Sequence, residues 1–193
     1  MQLSSVSDVA GLVVSYCNYY MAMEQNLETP QPQIYMSPRF QTKDYLRELV
    51  SQWETKISIP CHCFLLDARF FTEYNIRFDE ILPNHVDWDC WLRIFALKPS
   101  ICYIDAKLAV YRFQSQSMCR DLRRMRRGFL MAIKKQRSSF AGDKVMQGLL
   151  DQKRREVFQV YREYAPFYPL RRFVGRIAKT VLPKSCKEYL RKV

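Results

Sequence analysis

The chain has 193 residues, 48% of them apolar and 14% aromatic, which supplies one substantial core and excludes an intrinsically disordered protein. Its net charge of +12 is unevenly placed: residues 1–118 carry 10 Lys and Arg against 13 Asp and Glu, whereas residues 119–193 carry 21 against 6. The basic excess belongs to the C-terminal part and directs that part alone toward an anionic partner. No apolar run reaches about 18 residues, so no membrane-spanning helix is predicted. The N-terminus lacks a basic n-region, and Asp8 interrupts its apolar stretch, so no signal peptide is expected. Seven cysteines, an odd number set mostly in apolar runs, read as reduced thiols of a cytoplasmic protein rather than as a disulfide framework.

In chain order, residues 12–20 are β-branched and aromatic and predict a buried strand. Residues 29–38 hold three prolines and predict a loop. Tyr45, Leu46, Leu49, Val50 and Trp53 recur at helical spacing behind Thr42, a candidate N-cap. Pro60 ends that segment, and residues 61–66 predict another strand. A short helix follows from Asp67 and ends near Asn75, a residue suited to a left-handed backbone. Residues 87–97 predict a helix stopped by Pro99, then residues 101–104 and 108–113 two short strands. Beyond Met118 the pattern is helical only, over residues 121–137, 144–164 and 169–181.

Chemistry concentrates in Asn84-His85-Val86-Asp87-Trp88-Asp89-Cys90-Trp91-Leu92-Arg93, with Phe78-Asp79-Glu80 before it and Leu108-Ala109-Val110-Tyr111-Arg112 after it. This order, across residues 9–116, resembles the acceptor-side half of family 2 glycosyltransferases. The resemblance implies an α/β fold, a partial GT-A-like (Rossmann-like) sheet over residues 1–118, followed by a basic helical extension over residues 119–193. It implies transfer of a sugar from a nucleotide-sugar to a saccharide or lipid-linked saccharide, as in building cell-envelope polysaccharide. The family's acidic pair places its base at Asp87, with Val86 standing where the family has Glu. Asp89, Trp91, His85 and Arg112 are then candidate substrate-binding residues. The family's nucleotide-binding half, with the Asp-x-Asp that holds Mg or Mn beside the diphosphate, is expected ahead of residue 1. Asp87-Trp88-Asp89 has that spelling but the acceptor-side position, so no metal is assigned to it.

Ordinary structural roles compete for each residue. Asp87 can cap the helix, and Asp89 can sit in its first turn, where a carboxylate gains roughly 0.3–1 kcal/mol against the dipole. Asp89 can also pair with Arg93 one turn on. His85 can contact a diphosphate or an acceptor, or remain a solvated loop histidine. Arg112 can face a phosphate, or pair with Asp105 or Asp79. Cys61-His62-Cys63 with His85 and Cys90 invites zinc, but alternation on a strand sends His62 to the opposite face and no second ligand pair follows.

The basic third opens with Arg120, Arg123, Arg124, Arg126 and Arg127. It closes on a stretch where Phe173, Ile177 and Val181 share a stripe flanked by Arg172, Arg176 and Lys179. Such a segment suits an anionic membrane surface, which predicts a peripheral protein on the cytoplasmic face. Nucleic acid is the competing anion, but no helix-turn-helix, RNA-binding sheet or zinc-finger pattern supports it. The non-enzymatic alternative is a basic peripheral protein that binds anionic lipid or nucleic acid through residues 119–193.

Overall fold

Val, Ser, Tyr and Cys at residues 13–17 favour extended backbone, and they open the central strand β1, Val13–Met23. In the computed structural model, which describes residues 11–24, 26–32 and 36–166, β1 is paired along both edges. Strands β2 (Asn26–Pro32) and β3 (Phe64–Leu66) run antiparallel to it, and β4 (Ser100–Phe113) runs parallel. Val14 pairs with both Leu66 and Ile101, and Tyr20 with both Pro32 and Val110. Strand β4 therefore lines one whole edge, while β3 and β2 share the other.

Several expectations need correction. Residues 29–32 belong to β2 rather than to a loop. Residues 61–63 form a 3-10 turn after Pro60, and only Phe64–Leu66 is strand. The two strands expected after Pro99 are one. Their anticipated break survives as register shifts, where Cys17, Asn18 and Tyr19 face Ile104, Lys107 and Ala109. Asp105, Ala106 and Leu108 are the extra residues, absorbed as bulges without ending the ladder.

Among the described residues five helices accompany the sheet: α1 (Tyr45–Gln52), α2 (Arg69–Thr72), α3 (Val86–Ala96), α4 (Leu122–Ser139) and α5 (Lys144–Val160). The fold is mixed α/β. The N-cap of α1 is Asp44, whose carboxylate accepts from Arg47 N at 3.3 Å, not Thr42. Thr42 instead supports the entry turn, bound with Gln41 to the carboxylate of Glu48 that reaches back. Asn75 takes the left-handed backbone expected of it (φ 49°). Helix α5 ends at Val160, and a 3-10 turn follows over Arg162–Tyr164. The helix expected over residues 169–181 lies outside the described residues. Among the described residues no helix is long and apolar enough to cross a membrane.

Helix α3 is the middle layer, and seven of its eleven residues are buried. Trp91 packs on Phe64 of the sheet (ring centroids 4.6 Å apart), and Phe95 meets Phe40, which also touches Tyr16. On its other side Trp88 packs edge-on to Phe129 of α4 and donates from Nε1 to Leu49 O of α1 at 3.0 Å. Helices α4 and α5 pack antiparallel, and their apolar residues Phe129, Ile133, Met146 and Leu150 belong to the same buried cluster as the sheet.

At Gly128 the backbone of α4 lies against the segment before α3. A Cβ placed there would meet Asn84 Cβ, N and O at 2.7 Å each. Two of those atoms are backbone, so no rotamer change relieves the clash. Gly128→Ala is expected to destabilise the protein by about 1–3 kcal/mol, the usual cost of overpacking. Urea unfolding measures it, and an unchanged midpoint would show that the two backbones are not in contact.

Candidate functional site

The segment after Pro83 turns sharply into α3. His85 is the N-cap, in the left-handed region (φ 59°), and its carbonyl accepts from Asp89 N at 3.0 Å. Asn84 Oδ1 accepts from His85 N at 2.7 Å and supports the turn. Asp87 is therefore inside the helix rather than its cap, and its Oδ1 accepts from Trp88 N at 2.8 Å.

The turn opens on a cavity of about 570 Å3. Tyr19, Tyr111 and Phe113 come to it from the sheet, Cys61 and His62 from the 3-10 turn, and His85 and Asp87 from the start of α3. Glu54, Leu122, Met125 and Tyr161 close the remaining sides. The wall is largely apolar and aromatic, with a few polar groups converging on it, the usual character of a small-molecule site.

Burial pushes the Asp87 carboxyl above its ordinary range, opposed by the Trp88 N–H and by His85, with Glu54 adding to the rise. His85 is 3% exposed and its ring stacks on Phe129, centroids 4.0 Å apart. Its Nε2 lies 3.2 Å from Glu54 Oε1. Glu54 also has a left-handed backbone (φ 56°), and its other carboxylate oxygen accepts from Tyr161 Oη at 3.3 Å. Two non-glycine residues with positive φ thus face each other across the cavity wall, a placement typical of sites where backbone strain is retained. The residue beside Glu54 is held as firmly, since buried Lys153 donates to Trp53 O at 2.9 Å and pairs with Glu156.

The other candidates lie elsewhere. Asp89 has no exposed surface: its carboxylate accepts from Arg93 Nη2 at 2.8 Å, Lys135 Nζ at 2.9 Å and Gln136 Nε2 at 2.6 Å. The expected pairing with Arg93 is present within this larger network. Trp91 is 1% exposed in the core and Arg112 is exposed, and neither lines the cavity. Arg112 alternates with Tyr111 and Phe113 along β4, so the pleat that brings those rings to the cavity sends the guanidinium away. It pairs with neither Asp105 nor Asp79. The substrate-binding role expected of Asp89, Trp91 and Arg112 has no geometric support, whereas His85 lines the cavity together with Asp87. Phe78 and Asp79 brace the site: Phe78 packs edge-on to Trp91, and Lys135 bridges Asp79 (2.6 Å) to Asp89.

Asp87 and Asp89 do not share a divalent ion, because one faces the cavity and the other is enclosed by two cations and an amide. Among the described residues no group of three or more His, Cys, Asp or Glu could hold a metal. None of the described residues is therefore assigned to the Mg or Mn ion that the family resemblance implies. Glu54 and Tyr161 escaped sequence reading altogether, and Tyr111 entered it only as a motif member without a role of its own. Glu54 follows a helix with no motif around it, and its contacts to His85 and Tyr161 span 31 and 107 residues. Neither family models nor curated proteins nor solved structures give a match to this chain.

Proposed function

We propose that residues 11–118 form the acceptor side of a glycosyltransferase of the GT-A kind, with Asp87 as the base. The observation that carries this reading is the position of Asp87: a carboxyl of raised proton affinity, at a helix start, facing an aromatic-walled cavity. Aromatic rings such as Tyr19, Tyr111 and Phe113 suit the apolar faces of sugar rings, and a base of raised pKa accepts a hydroxyl proton closer to neutral pH. In the reaction, the acceptor hydroxyl gives its proton to the Asp87 carboxylate as its oxygen bonds to the anomeric carbon. The nucleoside diphosphate departs with the electron pair of the broken bond. The acceptor is a saccharide or lipid-linked saccharide, and His85, oriented by Glu54, borders the position it occupies. No described residue is assigned to the nucleotide-sugar or to its Mg or Mn ion.

The test is Asp87→Asn in the complete enzyme with its donor half present, assayed for transfer alongside Asp87→Glu. Near-normal transfer by the Asn variant would sink the assignment. A second reading, a cytoplasmic peripheral protein that binds anions without catalysis, is favoured by the exposed cations of α4 and α5. Sugar-nucleotide binding separates the two, being expected only for the enzyme.

A further inference from the structure

The outer surface of the α4–α5 hairpin carries a second cavity of about 380 Å3. Leu130, Ile133, Lys134 and Arg137 of α4 face Arg154 and Phe158 of α5 across it. The floor is apolar and the rim is cationic. Phe158 is 40% exposed, and the guanidinium carbons of Arg126 and Arg154 stand 5.2 and 5.3 Å from its ring centre. Arg137 pairs with Asp151, but among the described residues Arg126, Lys134 and Arg154 have no acidic partner.

We propose that this groove seats the acidic headgroup and upper acyl segment of an anionic phospholipid, and that it docks the hairpin on a membrane surface. Guanidinium and ammonium groups around one opening match a phosphate ester by charge and by donor geometry. A free phosphate leaves the Leu130–Ile133 floor without an occupant. A nucleic acid satisfies the rim, but guanidinia already lie over Phe158, the aromatic ring of the groove that could stack a base. Residues 167–193 carry eight Lys and Arg against one Glu, the same sign of charge as the rim. The site stands independently of sugar transfer.

The test uses the full chain with Phe158→Trp and vesicles of phosphatidylcholine and brominated phosphatidylglycerol. Trp53, Trp88 and Trp91 are at most 4% exposed and give a constant background. Emission of the F158W chain is expected to fall in these vesicles and to stay unchanged in phosphatidylcholine alone. Lys134→Gln with Arg154→Gln is expected to weaken co-sedimentation about thirtyfold, at roughly 1 kcal/mol for each charge. Lys43→Gln with Lys98→Gln, two exposed lysines outside the hairpin, should leave it unchanged. Binding without quenching, equal losses for both pairs, or preference for a single-stranded RNA oligonucleotide over vesicles would each overturn the proposal.

Discussion

Asp89→Asn is expected to lower the unfolding free energy by about 3 kcal/mol, near the lower end of what losing one member of a buried ion network costs. The carboxylate has no exposed surface and three donors converge on it, two of them cationic. An amide of the same shape supplies one acceptor oxygen where the native residue supplies two charged ones. Lys135 keeps Asp79, and Arg93 keeps its bond to Arg77 O at 2.5 Å, so the loss stays below that of an abandoned charge. In a chain of this length the change corresponds to a melting-temperature drop of roughly 6–12 °C. A double-mutant cycle with Lys135→Met tests the cause. The two losses should fall short of additivity by at least about 0.5 kcal/mol, and strict additivity would place Asp89's contribution elsewhere.

Asp87→Asn is expected to act in the opposite sense on stability while removing function. In the complete enzyme, loss of a positioned base lowers transfer by roughly 10²–10⁴-fold. In the folded chain burial raises the Asp87 carboxyl above its unfolded value of about 3.9. Between those two values the native state binds the extra proton, so the stability due to this group is present below the unfolded pKa and lost as pH rises through the folded one. The Asn variant carries no such dependence. Its melting temperature should match that of the native chain in acid and exceed it at neutral pH. A gap that does not widen with pH would show that burial does not govern this carboxyl. Residues retained for chemistry at a cost in stability are a common feature of active sites.

Local signals were legible where the controlling interaction is local. Residues 87–97 and 121–137 gave the bodies of α3 and α4, because apolar spacing fixed the face and Pro99 or Asp121 fixed an end. Asn75 and the Asp89–Arg93 pair were readable for the same reason, each depending on residues within one turn. What distant partners decide was not readable. Asp89 and Trp91 look like a polar and an aromatic group at a site until Lys135, Gln136 and Phe64 enclose them, and no spacing encodes those contacts. The structural role that competes for Asp87, that of a cap, is taken instead by His85, whose left-handed turn starts the helix two residues earlier. The turn at Cys61–Cys63 was misread as strand because apolar cysteines suit both, and the bond from Cys63 N to Pro60 O decides between them.

Among the described cysteines only Cys61 and Cys119 are exposed, and both border the large cavity. The Cys61 thiol is pushed up by burial first and by the Asp87 carboxylate second. Thiolate, not thiol, reacts with alkylating reagents. The rate at which iodoacetamide modifies Cys61 therefore reports the charge on Asp87 without substrate, donor or turnover. The cavity carries its own chemical voltmeter, and a faster reaction in the Asp87→Asn chain than in the native one would be its first reading.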